Sequence, residues 1–552
     1  MHWSDLILFA AAPLPLVALF GAKSMDAGSP LLNIILIISI IVIFILCIIV
    51  HKNLSPAVFC IILFLFAFSL LLMNSARSGH VVGEDIRTEF FYFQQTLENG
   101  WDPADTHPYN WSLSTNILPS ILYFITRMDP VWVYKVLMQL IFAISAPTVS
   151  LIARFFLSDM ESFLASFLFI AQWTFIYEMP RHIRQEIALL LFALFILAYM
   201  HGNIVLMVLF ALLIVVSHYT TAFMFAVFLA LLCMSRILSH NRIKLSFVIL
   251  VCSFILLYLG VLSNILYHDS IRSAFSAIDF SKDKVMDIYK KPGASIAGPV
   301  INKESASTQS NPYRDRLSEL NKVKRIVKIA GLLTRLLIII GFIYVLCRFF
   351  INKESSFMLI ATSIFFLFLL VMLASPLLQK HYGITRLYQQ SLVILAPLFV
   401  FGAKPLRRFS VPLLSIILIL QLITNSGLIY AMYDVDYPIA FSNSGFDYDR
   451  IYIHDAELDA AQWVSEQKIA RIYANSWARG ILILKGLDDA QELAGIDSLP
   501  PDSIVFLRER NREFIDIGET IYSVPISQTI FPNMLADENK VYDNGAAQVY
   551  YS

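Results

Sequence analysis

Four short polar groups stand against long apolar runs, and each carries residue types that can do chemistry. The first is Gly83-Glu84-Asp85-Ile86-Arg87-Thr88-Glu89-Phe90. Adjacent carboxylates can take a proton from an attacking hydroxyl or hold a divalent cation. The plainer alternative makes Asp85 the cap of a following helix and Glu84 a solvated neighbour. The second group, Glu178-Met179-Pro180-Arg181-His182-Ile183-Arg184-Gln185-Glu186, packs five ionisable residues into nine positions directly before an apolar run. Arg181 and Arg184 share a side at helical spacing, with Glu178 near Arg181. Guanidinium groups at a bilayer suit phosphate and pyrophosphate, and the alternative is simple snorkelling to the interface. The third, Ser217-His218-Tyr219-Thr220-Thr221, is an uncharged stretch between apolar runs. It reads as a tight turn or a continuous buried helix, with His218 as proton shuttle, substrate contact or packed interface residue. The fourth runs from Gln379 to Gln390 and contains Lys380, His381 and Arg386, the last opening an otherwise apolar helix. A charge inside the membrane is a functional hypothesis by default.

The elements that must position these groups are mostly membrane helices. Of 552 residues, 58% are hydrophobic and 15% charged, with 43 phenylalanines, and the mean hydropathy is +0.68. Soluble domains are roughly 45–50% apolar and about 25% charged. This composition excludes a soluble enzyme, a disordered chain and a cationic nucleic-acid binder. All five cysteines lie in apolar runs, so neither a disulfide framework nor zinc-ligand spacing is present.

Apolar runs give about thirteen candidate spans: Leu6–Gly21, Leu31–Val50, Pro56–Met73, Val131–Phe155, Ser162–Tyr177, Ile187–Met200, Ile204–Val216, Thr221–Ile237, Leu245–Leu262, Ile326–Cys347, Phe357–Leu373, Leu392–Phe401 and Val411–Ile429. Leu6–Gly21 follows no basic signal-peptide region and reads as a retained first span kinked by Pro13 and Pro15. Ile187–Met200 and Leu392–Phe401 are short and can extend into their polar flanks. With the N-terminus in the cytoplasm, Lys52, then Arg236, Arg242 and Lys244, then Arg348 and Lys353, then Lys404, Arg407 and Arg408 all fall on the cytoplasmic side. The four polar groups then share the outer boundary.

The expected fold is mainly α: a polytopic membrane domain over 1–432, with external loops 74–130, 263–325 and 374–391, and a soluble extracytoplasmic α/β domain over 433–552. Within the first loop, Ile86, Phe90, Phe93 and Leu97 predict an amphipathic helix over Asp85–Leu97 lying on the bilayer surface. Lys282–Asn321 reads as a mobile external loop. In the tail, Arg450–Ile453, Ala470–Tyr473 and Ser503–Leu507 read as strands. Asp455–Gln467 reads as a helix capped by Asp455, and Val541–Tyr551 as a hairpin about Asn544-Gly545. The tail holds 20 acidic and 9 basic residues, so the neutral whole is an acidic tail balanced by a basic membrane part.

A polar, locally basic cavity at the outer leaflet with one acidic pair suits a lipid-linked phosphate substrate. The layout resembles the GT-C superfamily of integral-membrane glycosyltransferases, which includes oligosaccharyltransferases, protein O-mannosyltransferases and aminoarabinose transferases. Glu84-Asp85, the segment Asp85–Leu97 and the apolar stretch Leu113–Ile125 match the catalytic acidic loop and short loop helices of that superfamily. The tail matches its external domain. Closer still is a group of prokaryotic polytopic membrane proteins sharing the Asp85-Ile86 loop, the Ser217-His218-Tyr219 turn and the Arg386-Leu387-Tyr388-Gln389-Gln390 stretch. One departure is that the acidic loop here follows the third span, whereas many members place it after the first.

The resemblance implies a glycosyltransferase of the prokaryotic cell membrane, acting on the outer face. It implies transfer of a sugar from a polyprenyl-phosphate donor to a glycan, lipid-linked oligosaccharide or protein. Asp85 would be the base and Glu84 its partner or a metal ligand. Arg181, His182, Arg184, His218, Lys380, His381 and Arg386 would form the substrate-binding set. Some members use a divalent ion such as Mg or Mn and others none, so the metal is left open. The rival readings are a Wzy-type polysaccharide polymerase and a lipid-linked sugar flippase. A flippase expects a charged path across the bilayer, whereas the spans hold little beyond Lys328 and Arg335.

Overall fold

The computed structural model describes residues 3–238, 312–352, 356–374, 383–433, 435, 438–467, 471–493, 499–508, 514–517, 522–525, 531–536 and 538–552. The chain is mainly helical and divides into two compact units. The first comprises Met1–Arg77, Trp111–Leu259 and Ser318–Tyr448, and the second Ser78–Asn110, Gly260–Leu317 and Asp449–Ser552.

The first unit is a helical membrane body. Eight of its described helices are long and apolar enough to cross a bilayer, or nine if one bent pair is counted as a span. The first, Trp3–Asp26, breaks between Ala11 and Leu14, where Pro13 cannot donate to the preceding turn. The bent pair joins Asp159–Ile170 to Thr174–Arg181 at 57°. Of the thirteen apolar runs, Leu245–Leu262 lies outside the described residues, as does most of 263–325. Ile204–Ser217 and Tyr219–Met234 are shorter apolar helices. The two weak segments extend into their polar flanks: one helix is Ile183–Met200 and the other Ile384–Ala403. The latter continues toward Ser410–Asn425 across a kink at Arg407, whose φ is 51°.

Aromatic rings pack against one another in the interior, with Phe44 and Phe167 tilted at 4.1 Å and Phe142 and Phe175 stacked at 5.2 Å. Where helices Pro312–Asn352 and Ile384–Ala403 cross, Gly341 faces the Leu398 carbonyl and Gly402 the Leu337 carbonyl. A Cβ at either glycine would overlap that oxygen, so the backbones meet only because both residues lack one.

The second unit is α/β. Its five-stranded sheet has the order β2-β1-β3-β7-β6, where β1 is Arg471–Ala474, β2 Gln491–Glu492, β3 Ser503–Arg508, β6 Asn539–Asp543 and β7 Ala547–Tyr551. β1 runs parallel to β2 and β3, and β7 antiparallel to β3 and β6. The two-stranded sheet pairs β4, Phe514–Ile517, with β5, Tyr522–Pro525. All six residues of β3 are buried. Ile504 and Phe506 join one core with Leu458, Val464 and Ile481, while Val505 and Leu507 join the opposite one with Tyr473 and Leu493. A central strand covered on both faces reads as an unbroken apolar run.

Of the expected strands, Ala470–Tyr473 is met by Arg471–Ala474 (Ala470 lies outside the described residues) and Ser503–Leu507 by Ser503–Arg508; the terminal hairpin is present, and the tail helix is Asp455–Glu466. Its N-cap is His454, whose N–H donates to Glu457 at 3.1 Å, one residue ahead of the expected Asp455. Arg450–Ile453 is not a strand: helix Phe446–Ile451 takes its first two residues, and Tyr452 and Ile453 join no sheet.

Candidate active site

In the membrane unit the helix before the second polar group is interrupted. Thr174–Glu178 is π-helical, Met179–Arg181 is a 3₁₀ turn containing Pro180, and His182 is non-helical at φ −142°, ψ 71°. The helix restarts at Ile183. Sequence spacing treated Glu178–Glu186 as one helical surface. Pro180 lacks the N–H that would continue it, and such interruptions often mark functional sites.

The break aims side chains inward. His182 Nδ1 lies 2.7 Å from the Glu178 carbonyl oxygen, and Arg386 Nη2 lies 2.7 Å from His182 Nε2. A guanidinium can only donate, so Nε2 carries the lone pair, Nδ1 the proton, and His182 is neutral. Thr385 Oγ1 donates to Glu178 Oε2 at 3.0 Å. Arg181 donates through both terminal nitrogens to Asp447, at 3.3 and 3.2 Å. Arg184, 5% exposed, sits with its guanidinium carbon 5.8 Å from the centre of the Tyr219 ring. Glu186 is fully buried and accepts from Gln139 Nε2 at 3.2 Å. His218 forms the extended one-residue break between helices Ile204–Ser217 and Tyr219–Leu238, its Nδ1 2.7 Å from Thr221 Oγ1.

Three of the four polar groups therefore meet in this unit. Arg386 and Thr385 bind the second group to the fourth, and Arg184 on Tyr219 binds the second to the third. Lys380 and His381 lie outside the described residues. Asp447 and Gln139 belong to the same network but lie in no polar cluster of the sequence.

The acidic pair belongs to the other unit. Helix Asp85–Asn99 begins with Glu84 at the N-cap position, yet no side chain caps it, so the capping alternative for Asp85 does not describe this turn. Glu84 instead accepts from Arg450 Nη2 at 3.2 Å. Ile86, Phe90 and Phe93 are buried by protein rather than left for lipid, as a surface-lying helix would leave them. A cleft of about 210 Å³ is lined by Glu84, Asp85, Thr88, Trp477, Arg479 and Asp488, among others.

Arg87, two residues on from Asp85, is completely buried. It donates to the carbonyl oxygens of Trp477 at 3.0 Å, Ile451 at 3.0 Å and Arg450 at 3.3 Å. Burial, then the nearby Arg508, pulls the guanidinium down to about 9, against opposing pulls from Glu457 and Glu84. It is still charged at neutral pH, and the three carbonyls offset its loss of water. A Cβ at Gly480 would lie 3.1 Å from Arg87 Cδ and Nη1, a tight contact that would push the Arg87 side chain by a few tenths of an ångström. Arg508, 4% exposed, holds Glu457 at 2.7 and 3.2 Å. Arg87 stood inside a polar group but without a role, and nothing in sequence spacing joins Arg508 to Glu457.

Among the described residues no group of three or more His, Cys, Asp or Glu is placed to hold a metal ion.

This architecture, a body of many apolar helices with a small C-terminal α/β region, is that of a multi-pass membrane protein, and its fold is shared with a solved archaeal enzyme. The apo crystal structure of the Archaeoglobus fulgidus oligosaccharyltransferase matches it with a TM-score of 0.50 at 13% identity, over 84% of this chain and 71% of that one. The crystal structure of the same archaeal protein with Zn and sulfate matches with a TM-score of 0.47 at 14% identity, over 79% of this chain and 62% of that one. In that second match the chain thus spans less than two thirds of its neighbour's length. No curated protein matches the sequence significantly. Residues 203–550 match the family described as "Predicted membrane protein (DUF2206)", and the chain belongs to that family.

Proposed function

We propose that this protein is a membrane glycosyltransferase. It moves a sugar from a polyprenyl-phosphate donor to a glycan, lipid-linked oligosaccharide or protein, on the extracytoplasmic face of a prokaryotic cell membrane. The observation that carries the reading is the meeting of three polar groups inside the membrane unit, at Arg386–His182, Thr385–Glu178 and Arg184–Tyr219. Arginines gathered at the polar breaks of apolar helices, Arg184 buried and Arg386 half-buried, are what a lipid-borne phosphate needs. That the same fold houses an oligosaccharyltransferase supports it.

In the reaction, Asp85 takes the proton of the acceptor hydroxyl as its oxygen attacks the anomeric carbon. The new glycosidic bond forms with inversion, and the bond from that carbon to the phosphate oxygen breaks. Arg184 and Arg386 stabilise the charge on the departing phosphate, with His182 and His218 as hydrogen-bonding partners. Arg181 is already held by Asp447, so it joins only if a ligand displaces that carboxylate. Lys380 and His381 complete the substrate-binding set.

The test uses the purified full chain in nanodiscs with a radiolabelled polyprenyl-phosphate sugar and membrane-extracted acceptors. Transfer by the wild type is expected, and Asp85→Asn should abolish it while leaving the melting temperature unchanged. An Asp85→Asn protein with wild-type transfer would remove Asp85 from the mechanism.

A further inference from the structure

Glu84 occupies the N-cap position of helix Asp85–Asn99 but does no capping. The side chains that cap well at this position are Ser, Thr, Asp and Asn, and Glu is not one of them. Here the Glu84 carboxylate turns to Arg450 Nη2, 3.2 Å away. Arg450 has little freedom to follow a moving partner. Its guanidinium carbon stacks 3.6 Å from the centre of the Trp477 ring. Its carbonyl oxygen accepts from two buried arginines, Arg87 at 3.3 Å and Arg508 at 3.0 Å. Arg508 is itself fixed by Glu457, both partners being almost fully buried. The circuit closes on the helix, because Arg87 of its first turn also donates to the Trp477 carbonyl at 3.0 Å.

The two ends of one helical turn, Glu84 and Arg87, are thus tied to the same pair, Arg450 and Trp477. Asp85 lies between them and lines the cleft with Arg479 and Asp488. We propose that Arg450 is a positioning residue: with Trp477 behind it, it anchors Glu84 and so sets where Asp85 stands in the cleft. Glu84 is then the anchor of the acidic pair, and Asp85 the carboxylate that works. This rests on the reading of Asp85 as the base.

The test uses the full chain in nanodiscs. Arg450→Gln and Glu84→Gln each remove the charge pair. Hydrogen exchange of the amides of residues 84–90 should rise about fivefold in both, while the rest of the second unit exchanges as in the wild type. In transfer assays both variants should lose about tenfold in kcat with donor KM held within about twofold, since the approach of the base is disturbed and donor binding is not. The exchanged pair Glu84→Arg with Arg450→Glu should regain part of both losses. Wild-type exchange at 84–90 and wild-type kcat in Glu84→Gln overturn the proposal. Glu84 is half-exposed, so this variant decides the matter even if Arg450→Gln unfolds. A wild type that transfers no sugar defeats the glycosyltransferase reading, whereas the exchange measurement still decides the anchor.

Discussion

Arg181 and Arg386 carry the same charge in the same unit, and what holds each one separates them. Arg181 meets a carboxylate through both terminal nitrogens, in a pair only 12% and 16% exposed. Arg386 donates to a neutral imidazole, and the Glu178 carboxylate acts on it through charge rather than as a two-nitrogen fork. A phosphate gains most from the second kind of arginine. Arg386→Ala should therefore lower transfer by about 100-fold or more with little change in melting temperature. Arg181→Ala should leave Asp447 without its fork and destabilise the fold by about 2 kcal/mol, with the smaller loss of transfer. Thermal melts and initial rates on the same two preparations distinguish them. The reverse ranking would make Arg181 the phosphate ligand and Arg386 the structural residue. At this scale the sequence showed residue types but not partners, because Asp447 is 266 residues from Arg181 and follows no periodicity that spacing can detect.

Elements were most legible where one local signal ruled them. The terminal hairpin follows from Asn544-Gly545, and Gly545 takes φ 89° there, a region glycine enters without strain. Asp543 at that turn accepts from Lys540 at 3.0 Å, from the Gly545 N–H at 3.1 Å and from Gln548 at 2.8 Å. These donors, Lys540 first, hold its carboxyl well below the ordinary carboxylate range. A depressed acid stabilises the fold above its unfolded value and loses that contribution as pH falls through its folded one. Protection of β6 and β7 against hydrogen exchange, corrected for intrinsic rates, should therefore fall as pH drops below about 4. Asp543→Asn should flatten that dependence, and an unchanged pH profile would dismiss Asp543 as its source. Elements were least legible where a tertiary demand overrode the local pattern. The apolar spacing of Ile86, Phe90 and Phe93 is that of a membrane-surface helix, yet protein buries all three. Arg450–Ile453 has strand-like alternation, yet Arg87 and Arg508 collect its carbonyls from the end of a helix.

Over the whole molecule, the second unit is discontinuous, combining Ser78–Asn110 with the tail from Asp449. A chain ended at Tyr448 would leave Arg87 without the carbonyls of Arg450, Ile451 and Trp477. A buried donor set without partners is strongly destabilising. Limited proteolysis of that truncated protein should cut between Ser78 and Asn110 within the time the full chain resists, and equal resistance would show that the loop folds without the tail. The tail expressed alone would lack the same helix. The sequence by itself determined the class of protein. Scarce charge and apolar runs of bilayer length permit little except a polytopic membrane chain, since each span satisfies its own backbone and needs no distant partner. It also located the polar groups, because charge beside lipid is expensive enough to be conspicuous. Only the tertiary structure decided which groups meet: Arg386 with His182, Arg184 with Tyr219, Glu84 with Arg450. Those pairings are short in space and long in sequence, so they depend on how helices cross and how the loop enters the α/β unit, which no local pattern encodes.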